Sequence, residues 1–228
     1  MADALKTSKI AFIGGGNMAA AIVGGLAVDK TNITVSEPWD VNREKMAALG
    51  VRTTTSNVEA GADADVLIIS VKPQVTRTVC EELAAAWKGK ERRPVVVSIA
   101  AGITMESLQN WLSTGGVSPP HIVRVMPNTP ALVGEGASGL VASADVTASE
   151  KDLVDALFKS VSRVTEWVDR EELLDVVTGL SGMYRDCAFF GQLHDLLTMK
   201  LLPRLWPGLL LRHGGTSHRE RHETWSLP

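Results

Sequence analysis

A glycine-rich turn near the amino terminus has the residue types and spacing that bind a diphosphate. Residues Gly14-Gly15-Gly16-Asn17-Met18-Ala19 match G-x-G-x-x-A, directly after the apolar run KIAFI and before an alanine-rich segment. Gly14 permits a tight turn, Gly16 lets backbone approach a pyrophosphate, and Ala19 allows close helix packing. The amino end of the following helix offers unpaired N–H groups to phosphates. This placement predicts a dinucleotide site rather than a plain glycine turn.

The end of the second predicted strand, NITVS at 32–36, should lie beside the adenosine ribose of such a ligand. Glu37 could bind a ribose 2′-hydroxyl and would repel a 2′-phosphate, whereas Ser36 or Arg43 could help to accept a 2′-phosphate. Glu37 could equally be a solvated turn acid. These residues alone leave the choice between NADP and NAD open.

Three further segments each follow a predicted strand: Lys72-Pro73, Ala100 to Gly102, and Asn128-Thr129. Ligands of doubly wound sheets bind outside the carboxyl ends of the strands, so we expect these segments to share one rim with the glycine turn. Small residues at 100–102 would let backbone approach a flat ring. Lys72 could instead be a solvated loop lysine, and Asn128 and Thr129 could merely stabilise their turn.

The elements that position these segments alternate between short β-branched runs and longer amphipathic ones, as βαβ units require. The pattern predicts strands at 9–13, 32–36, 51–55, 65–71, 94–100, 121–126, 136–143 and 162–168. It predicts helices at 17–28, 40–49, 104–111, 149–161 and 171–180, a helix ending at Trp87, and a short helix that Asn57 could cap. We therefore expect an α/β fold with a Rossmann-type, doubly wound, mostly parallel sheet.

Composition and charge exclude several classes of protein. The 228 residues carry 23 basic and 26 acidic side chains, a formal charge of −3. This balance provides no positive potential to bind nucleic acid or an anionic membrane. Cys80 and Cys187 are far apart and form no metal-type spacing, so we expect no metal site. The start, MADALKTSK, has no apolar signal region, and no apolar run reaches the about 18 residues needed to span a bilayer. These features predict a cytoplasmic protein.

Further blocks of sequence resemble one enzyme family. SVKPQ at 70–74, SIAAGIT at 98–104, RVMPNTPALVGEG at 124–136 and VVTGLSG at 176–182 follow IGGGNMA in the order and spacing seen in pyrroline-5-carboxylate reductases. Over residues 8–182 the chain resembles that family. The resemblance implies reduction of pyrroline-5-carboxylate to L-proline, the last step of proline synthesis, with NADP as the expected cofactor and NAD as a possible one. The family is homo-oligomeric.

The resemblance also implies residue roles. The pyrophosphate would be wrapped by Ile13, Gly14, Gly15, Gly16, Asn17 and Met18; the adenosine end would meet Ser36, Glu37 and Asn57. The nicotinamide would be lined by Val71, Lys72 and Pro73 and floored by Ala100, Ala101 and Gly102, with Asn128 and Thr129 on the substrate side. The protein would align the reduced nicotinamide with the imine carbon and exclude water, and it needs neither a metal nor a nucleophile.

From Met183 the sequence departs from the family. The expected helices, which form the dimer and hold the substrate, are replaced by MYRDCAFFGQLHDLL and a tail that contains His213, His218 and His222. We expect a dinucleotide-binding domain at 1–168, a remnant of the helical dimerisation and substrate domain at 169–211, and a disordered tail at 212–228. The carboxy-terminal segment is thus truncated or divergent, through a frame or splicing error or a genuine ending, and no catalytic residue is assigned.

Two alternatives remain. The chain could be a catalytically impaired remnant that binds NADP but lacks the substrate and dimerisation domain. It could also share only its cofactor domain with another reductase, such as an F420-dependent NADP oxidoreductase. SIAAG followed by RVMPNTPALV argues against that last possibility.

Overall fold

Eight strands form one sheet in the computed structural model, which describes residues 2–90 and 92–174. They are β1 Ile10–Ile13, β2 Ile33–Ser36, β3 Arg52–Thr54, β4 Val66–Ile69, β5 Val95–Ser98, β6 Ile122–Met126, β7 Gly136–Ala142 and β8 Ser162–Trp167. Their spatial order is β3-β2-β1-β4-β5-β6-β7-β8. Strands β1 to β6 are parallel, β7 is antiparallel to β6, and β8 is parallel to β7. The predicted Rossmann-type, mostly parallel sheet is confirmed.

Helices cover both faces of the sheet. They are α1 Ala2–Thr7, α2 Asn17–Gly25, α3 Asp40–Ala48, α4 Asn57–Ala60, α5 Pro73–Ala86, α6 Met105–Leu112 and α7 Ala148–Lys159. Short 3₁₀ helices span Lys30–Asn32 and Thr129–Val133. Buried side chains of α2, α3 and α7 belong to one apolar cluster, and those of α4, α5 and α6 belong to the other. The sheet is therefore doubly wound.

The central strands are apolar on both faces because helices cover both. Every residue of β4, VLII, is buried, as the near-continuous apolar run predicts. Phe12 and Ile68 contribute to one core cluster, while their neighbours Ile13 and Ile69 contribute to the other. This two-residue alternation places successive side chains in separate cores, one on each face of the sheet.

Helix ends follow local capping chemistry, with one correction to the sequence expectation. Thr104 caps α6 by accepting the Ser107 amide, and Thr147 and Glu150 form a capping box on α7. Asn57 does not cap α4: Ser56 accepts the Glu59 amide, and Asn57 is the first helical residue. The N-cap position, with extended backbone, falls on Ser56 one residue earlier, so the Ser56 hydroxyl reaches this amide.

The amino-terminal helix α1 was not among the predicted elements, because MADALKTSK shows no clear apolar period. Most of the predicted segment 169–211 and all of 212–228 lie outside the described residues. No helix in the described part of the chain is long and apolar enough to cross a membrane.

Candidate functional site

The glycine turn is held between the tips of two strands. The Gly14 amide donates to the Ser36 carbonyl at the end of β2 at 2.8 Å, and the Ser70 hydroxyl after β4 donates to the Gly14 carbonyl at 2.7 Å. The Ser70 amide also donates to the Ile13 carbonyl at 2.9 Å. Because β2 and β4 flank β1 at the point where the strand order reverses, the turn lies at the topological switch point of the sheet.

Gly14 must be glycine for two reasons. Its φ of 102° lies in the region that L side chains rarely adopt. A Cβ there would lie 2.9 Å from the Ser70 carbonyl oxygen, inside any normal contact distance. Ser70 therefore holds the glycine turn in place, a contact that the motif alone does not identify, although SVKPQ at 70–74 contains Ser70.

Gly16 faces open space at the start of α2. A Cβ added there would meet no atom of the described residues within 4 Å, and Gly16 is the N-cap residue of α2, with no side chain to cap the helix. The first turn of α2 carries no acidic side chain. The helix amino terminus thus presents its amides and positive dipole end to open space, which suits a diphosphate. These residues fit the pyrophosphate of a dinucleotide.

Glu37 is buried and hydrogen-bonded within the turn rather than exposed to solvent. It is 5% exposed, and its Oε2 accepts the Gly15 amide at 2.7 Å while Oε1 accepts the Trp39 amide at 3.0 Å. The alternative that Glu37 is a solvated turn acid is therefore wrong. Since the carboxylate occupies the Gly15 amide, the amides left to a phosphate come from the residues after Gly15.

The other residues at the β2 tip are bound to protein partners. Arg43 Nη1 donates to the Glu37 carbonyl at 3.1 Å and to the Pro38 carbonyl at 3.3 Å, and Nη2 contacts Asp40. Ser36 is fully buried, and its hydroxyl donates to Asn57 Oδ1 at 2.7 Å. Asn57 in turn donates to Glu82 at 2.7 Å. Ser36 therefore lies in the protein interior below this end of the site. Ile13 is likewise buried below the glycine turn.

The tips of β4 and β5 supply the next part of the rim. Val71 is half-buried, Lys72 is exposed at the N-cap of α5 without a side-chain cap bond, and Pro73 is the first helical residue. Ala100 is buried, while Ala101 and Gly102 are exposed. The parallel register places these residues and the glycine turn at one edge, as expected; their contact with a cofactor stays a prediction.

The PNTP turn follows β6 at the same edge. Asn128 Oδ1 accepts the Ala137 amide at 2.9 Å, so this side chain fixes the start of β7. Thr129 is exposed and opens the 3₁₀ helix Thr129–Val133, which packs beside α2. The structure therefore supports the turn-stabilising interpretation of Asn128 and leaves Thr129 accessible.

Other features of the described residues lie away from this rim. Open cavities of about 400 and 360 Å³ lie at the amino ends of the strands, beside Lys9 and Asp63, on the opposite edge of the sheet. Within residues 2–90 and 92–174, no group of three or more His, Cys, Asp or Glu side chains could hold a metal. Burial, followed by the charge of Glu81, raises the pKa of the Cys80 thiol to about 12, so this thiol is not a nucleophile.

Comparisons with known proteins point to reductases. Residues 9–102 match the family model described as NADP oxidoreductase coenzyme F420-dependent. The pyrroline-5-carboxylate reductase of Pseudomonas aeruginosa is 44% identical over 182 residues, which cover 78% of this chain and 64% of that protein. The Arabidopsis thaliana protein of that name is 34% identical over 182 residues, covering 78% and 62%. The chain thus spans just under two thirds of the length of these curated relatives.

Solved structures agree with the sequence matches. A pyrroline-5-carboxylate reductase from Coxiella burnetii superposes with a TM-score of 0.72 at 34% identity, covering 90% of this chain and 72% of that chain. A Plasmodium falciparum pyrroline carboxylate reductase with NADP bound superposes with a TM-score of 0.65, covering 86% and 68%. Its 24% identity shows a shared fold alone.

Proposed function

We propose, because this chain belongs to the pyrroline-5-carboxylate reductase family, that it reduces pyrroline-5-carboxylate to L-proline with NADPH in proline synthesis. The observation that carries the proposal is the uncapped amino terminus of α2, which opens onto free space at Gly16 where the strand order reverses. A diphosphate placed there would be held by backbone amides and the helix dipole.

NADPH is the cofactor that we favour, with NADH as a second possibility. The matched family model names NADP, and the same fold holds NADP in the Plasmodium falciparum reductase. When bound, the reduced nicotinamide supplies the hydride. Glu37, at the ribose end, is the feature that leaves NADH possible, because a carboxylate would accept a ribose 2′-hydroxyl.

The remaining rim residues would orient the ring and the substrate. We assign Val71, Lys72 and Pro73 to one side of the nicotinamide and Ala100, Ala101 and Gly102 to its floor, where the exposed backbone at Ala101 and Gly102 allows close approach. Thr129 would face the imine substrate, while Asn128 holds the turn that presents it. Their role is to align the reacting carbon atoms and to exclude water.

The proposal extends to organisation and location. Residues 1–168 would form the dinucleotide-binding domain, and the family's substrate and dimer contacts would come from sequence beyond it. The protein would act in the cytoplasm on a small molecule, with no nucleic acid or membrane partner. The F420-dependent alternative is weaker, because its family model matches only residues 9–102 whereas the reductase matches extend over 182 residues.

The experiment follows NADPH oxidation by the purified full chain with pyrroline-5-carboxylate, beside the Pseudomonas aeruginosa reductase as a positive control. A parallel thermal melt measures NADPH binding. We expect a melting shift and turnover that depends on both substrates. A shift without turnover would identify the chain as the catalytically impaired, NADP-binding remnant. The absence of both would overturn the proposal.

A further inference from the structure

Trp39 is a large aromatic side chain left in solvent beside the ribose end of the proposed site. It is 73% exposed, whereas Trp87 in the core is 2% exposed. It follows Glu37 by two residues and is the N-cap residue of α3. Its position is not explained by packing, because no core cluster of the described residues contains it.

One carboxylate connects Trp39 to the glycine turn. Glu37 Oε1 accepts the Trp39 amide at 3.0 Å, and Oε2 of the same group accepts the Gly15 amide at 2.7 Å. Arg43 holds the intervening backbone through the carbonyls of Glu37 and Pro38. The backbone that carries the indole is therefore fixed relative to the amides that would bind the diphosphate.

The direction of a bound dinucleotide follows from the order of the strands. With its diphosphate at the start of α2, the nicotinamide half would extend over the tips of β4 and β5, where the exposed Ala101 and Gly102 lie. The adenosine half would then extend over β2, on the opposite side of β1. Among the described residues, Trp39 is an exposed aromatic side chain that follows the tip of β2, two residues after Glu37.

We propose that the indole of Trp39 stacks on the adenine ring of the coenzyme. This inference rests on the proposed function and adds a specificity-determining contact for the adenine half. Adenine suits the position because it is flat, has a π-face and needs no buried polar partner. Val58, exposed on α4 next to the Asn57 that Ser36 binds, adds apolar surface at the same end of the rim.

The test uses Trp39→Ala, Trp39→Phe and two half-ligands. Trp39 binds Glu37 through its backbone amide, so both variants keep that hydrogen bond. Calorimetry with the full chain would measure binding of NADPH, of adenosine 2′,5′-bisphosphate and of reduced nicotinamide mononucleotide, which lacks adenine. Val41→Ala is the matched control, because Val41 is 65% exposed on the same helix.

We expect Trp39→Ala to weaken the binding of NADPH and of the bisphosphate about tenfold, which is the scale of one base stacked on an aromatic ring. Trp39→Phe should lose much less affinity for these two ligands, and binding of the mononucleotide should not change in either variant. Unchanged NADPH binding by Trp39→Ala, or an equal loss for the mononucleotide, would overturn the inference. Failure of the unaltered protein to bind NADPH would instead overturn the proposed function.

Discussion

Glu171 forms an ion pair with Arg124, and the same carboxylate oxygen also accepts the amide of Met105. The Arg124 side chain is 3% exposed, and its Nη2 has no hydrogen-bond partner among the residues that the structure describes, while Glu171 remains 28% exposed. This contact joins β6, the first residue of α6 and the last described turn. It therefore fixes the loop that contains Ala100 to Gly102 at its far end.

Loss of Glu171 should cost more stability than loss of Arg124. Glu171→Gln leaves a buried guanidinium without a charged partner, and we expect the free energy of unfolding to fall by about 3 kcal/mol. Arg124→Met should cost less, because the Glu171 carboxylate can be hydrated. Urea unfolding measures both. The exposed pair Arg163–Glu135 is the control, where Glu135→Gln should cost less than about 1 kcal/mol; similar losses at both sites would contradict this account.

Alanine substitutions at two nearby glycines, Gly14 and Gly24, should change the free energy of unfolding in opposite directions. Gly14→Ala places a side chain at φ 102° and against the Ser70 carbonyl, so we expect a loss of about 1–3 kcal/mol. Gly24→Ala, in the last turn of α2 with no atom of the described residues within 4 Å of the added Cβ, should raise stability by about 0.5–1 kcal/mol. Thermal and urea unfolding measure both variants. A stabilising Gly14→Ala would show that the turn does not have this geometry.

Glu37→Gln should shift coenzyme preference towards NADPH. The amide oxygen can still accept one of the two backbone amides, while the negative charge beside the ribose position is removed. We expect the ratio of the NADPH Kd to the NADH Kd to fall about tenfold, a modest share of the repulsion between two charges at contact distance. Glu44→Gln, an exposed acid on α3, serves as the control. An unchanged ratio of the two Kd values would show that Glu37 does not lie beside the ribose.

The capping box of α7 predicts a pH-dependent contribution to stability. Burial acts to raise the pKa of Glu150, but hydrogen bonds from Thr147 and then His121 outweigh it and lower the pKa overall. A lowered folded-state pKa gives stability that is present above the unfolded value of about 4.3 and is lost as the pH falls through the folded value. Glu150→Gln keeps the capping-box geometry but removes the charge, so it should lower stability at pH 7 and have little effect in strong acid. A cost independent of pH would contradict this.

The fold was largely predictable because its signals are local. The apolar runs of β1 and β4 and the glycine turn each follow from neighbouring residues, and the bounds of these elements differ from expectation by only a few residues. Helix α1 has too little pattern to be seen. The antiparallel direction of β7 depends on its pairing with β6, which the sequence of β7 does not encode.

The candidate site was predictable in position but not in its internal contacts. The motif placed Gly14 and Gly16 at a strand tip, yet the burial of Glu37 depends on a hydrogen bond across 22 residues to Gly15. The ion pair between Arg124 and Glu171 joins residues 47 apart. Such contacts arise only when the sheet brings distant segments together, so single-sequence reasoning left Glu37 open and overlooked Arg124.

The most direct test of the coenzyme site is the NADPH-induced melting shift of Gly16→Asp. The φ of −72° at Gly16 suits any L residue, a Cβ there meets no atom of the described residues within 4 Å, and aspartate is a favourable N-cap. We therefore expect the variant to melt, without ligand, at or above the temperature of the unaltered protein. Its carboxylate would occupy the diphosphate position and repel the negatively charged diphosphate, so NADPH should no longer raise the Tm. An NADPH shift equal to that of the unaltered protein would contradict the central claim that the amides after Gly15 bind the coenzyme.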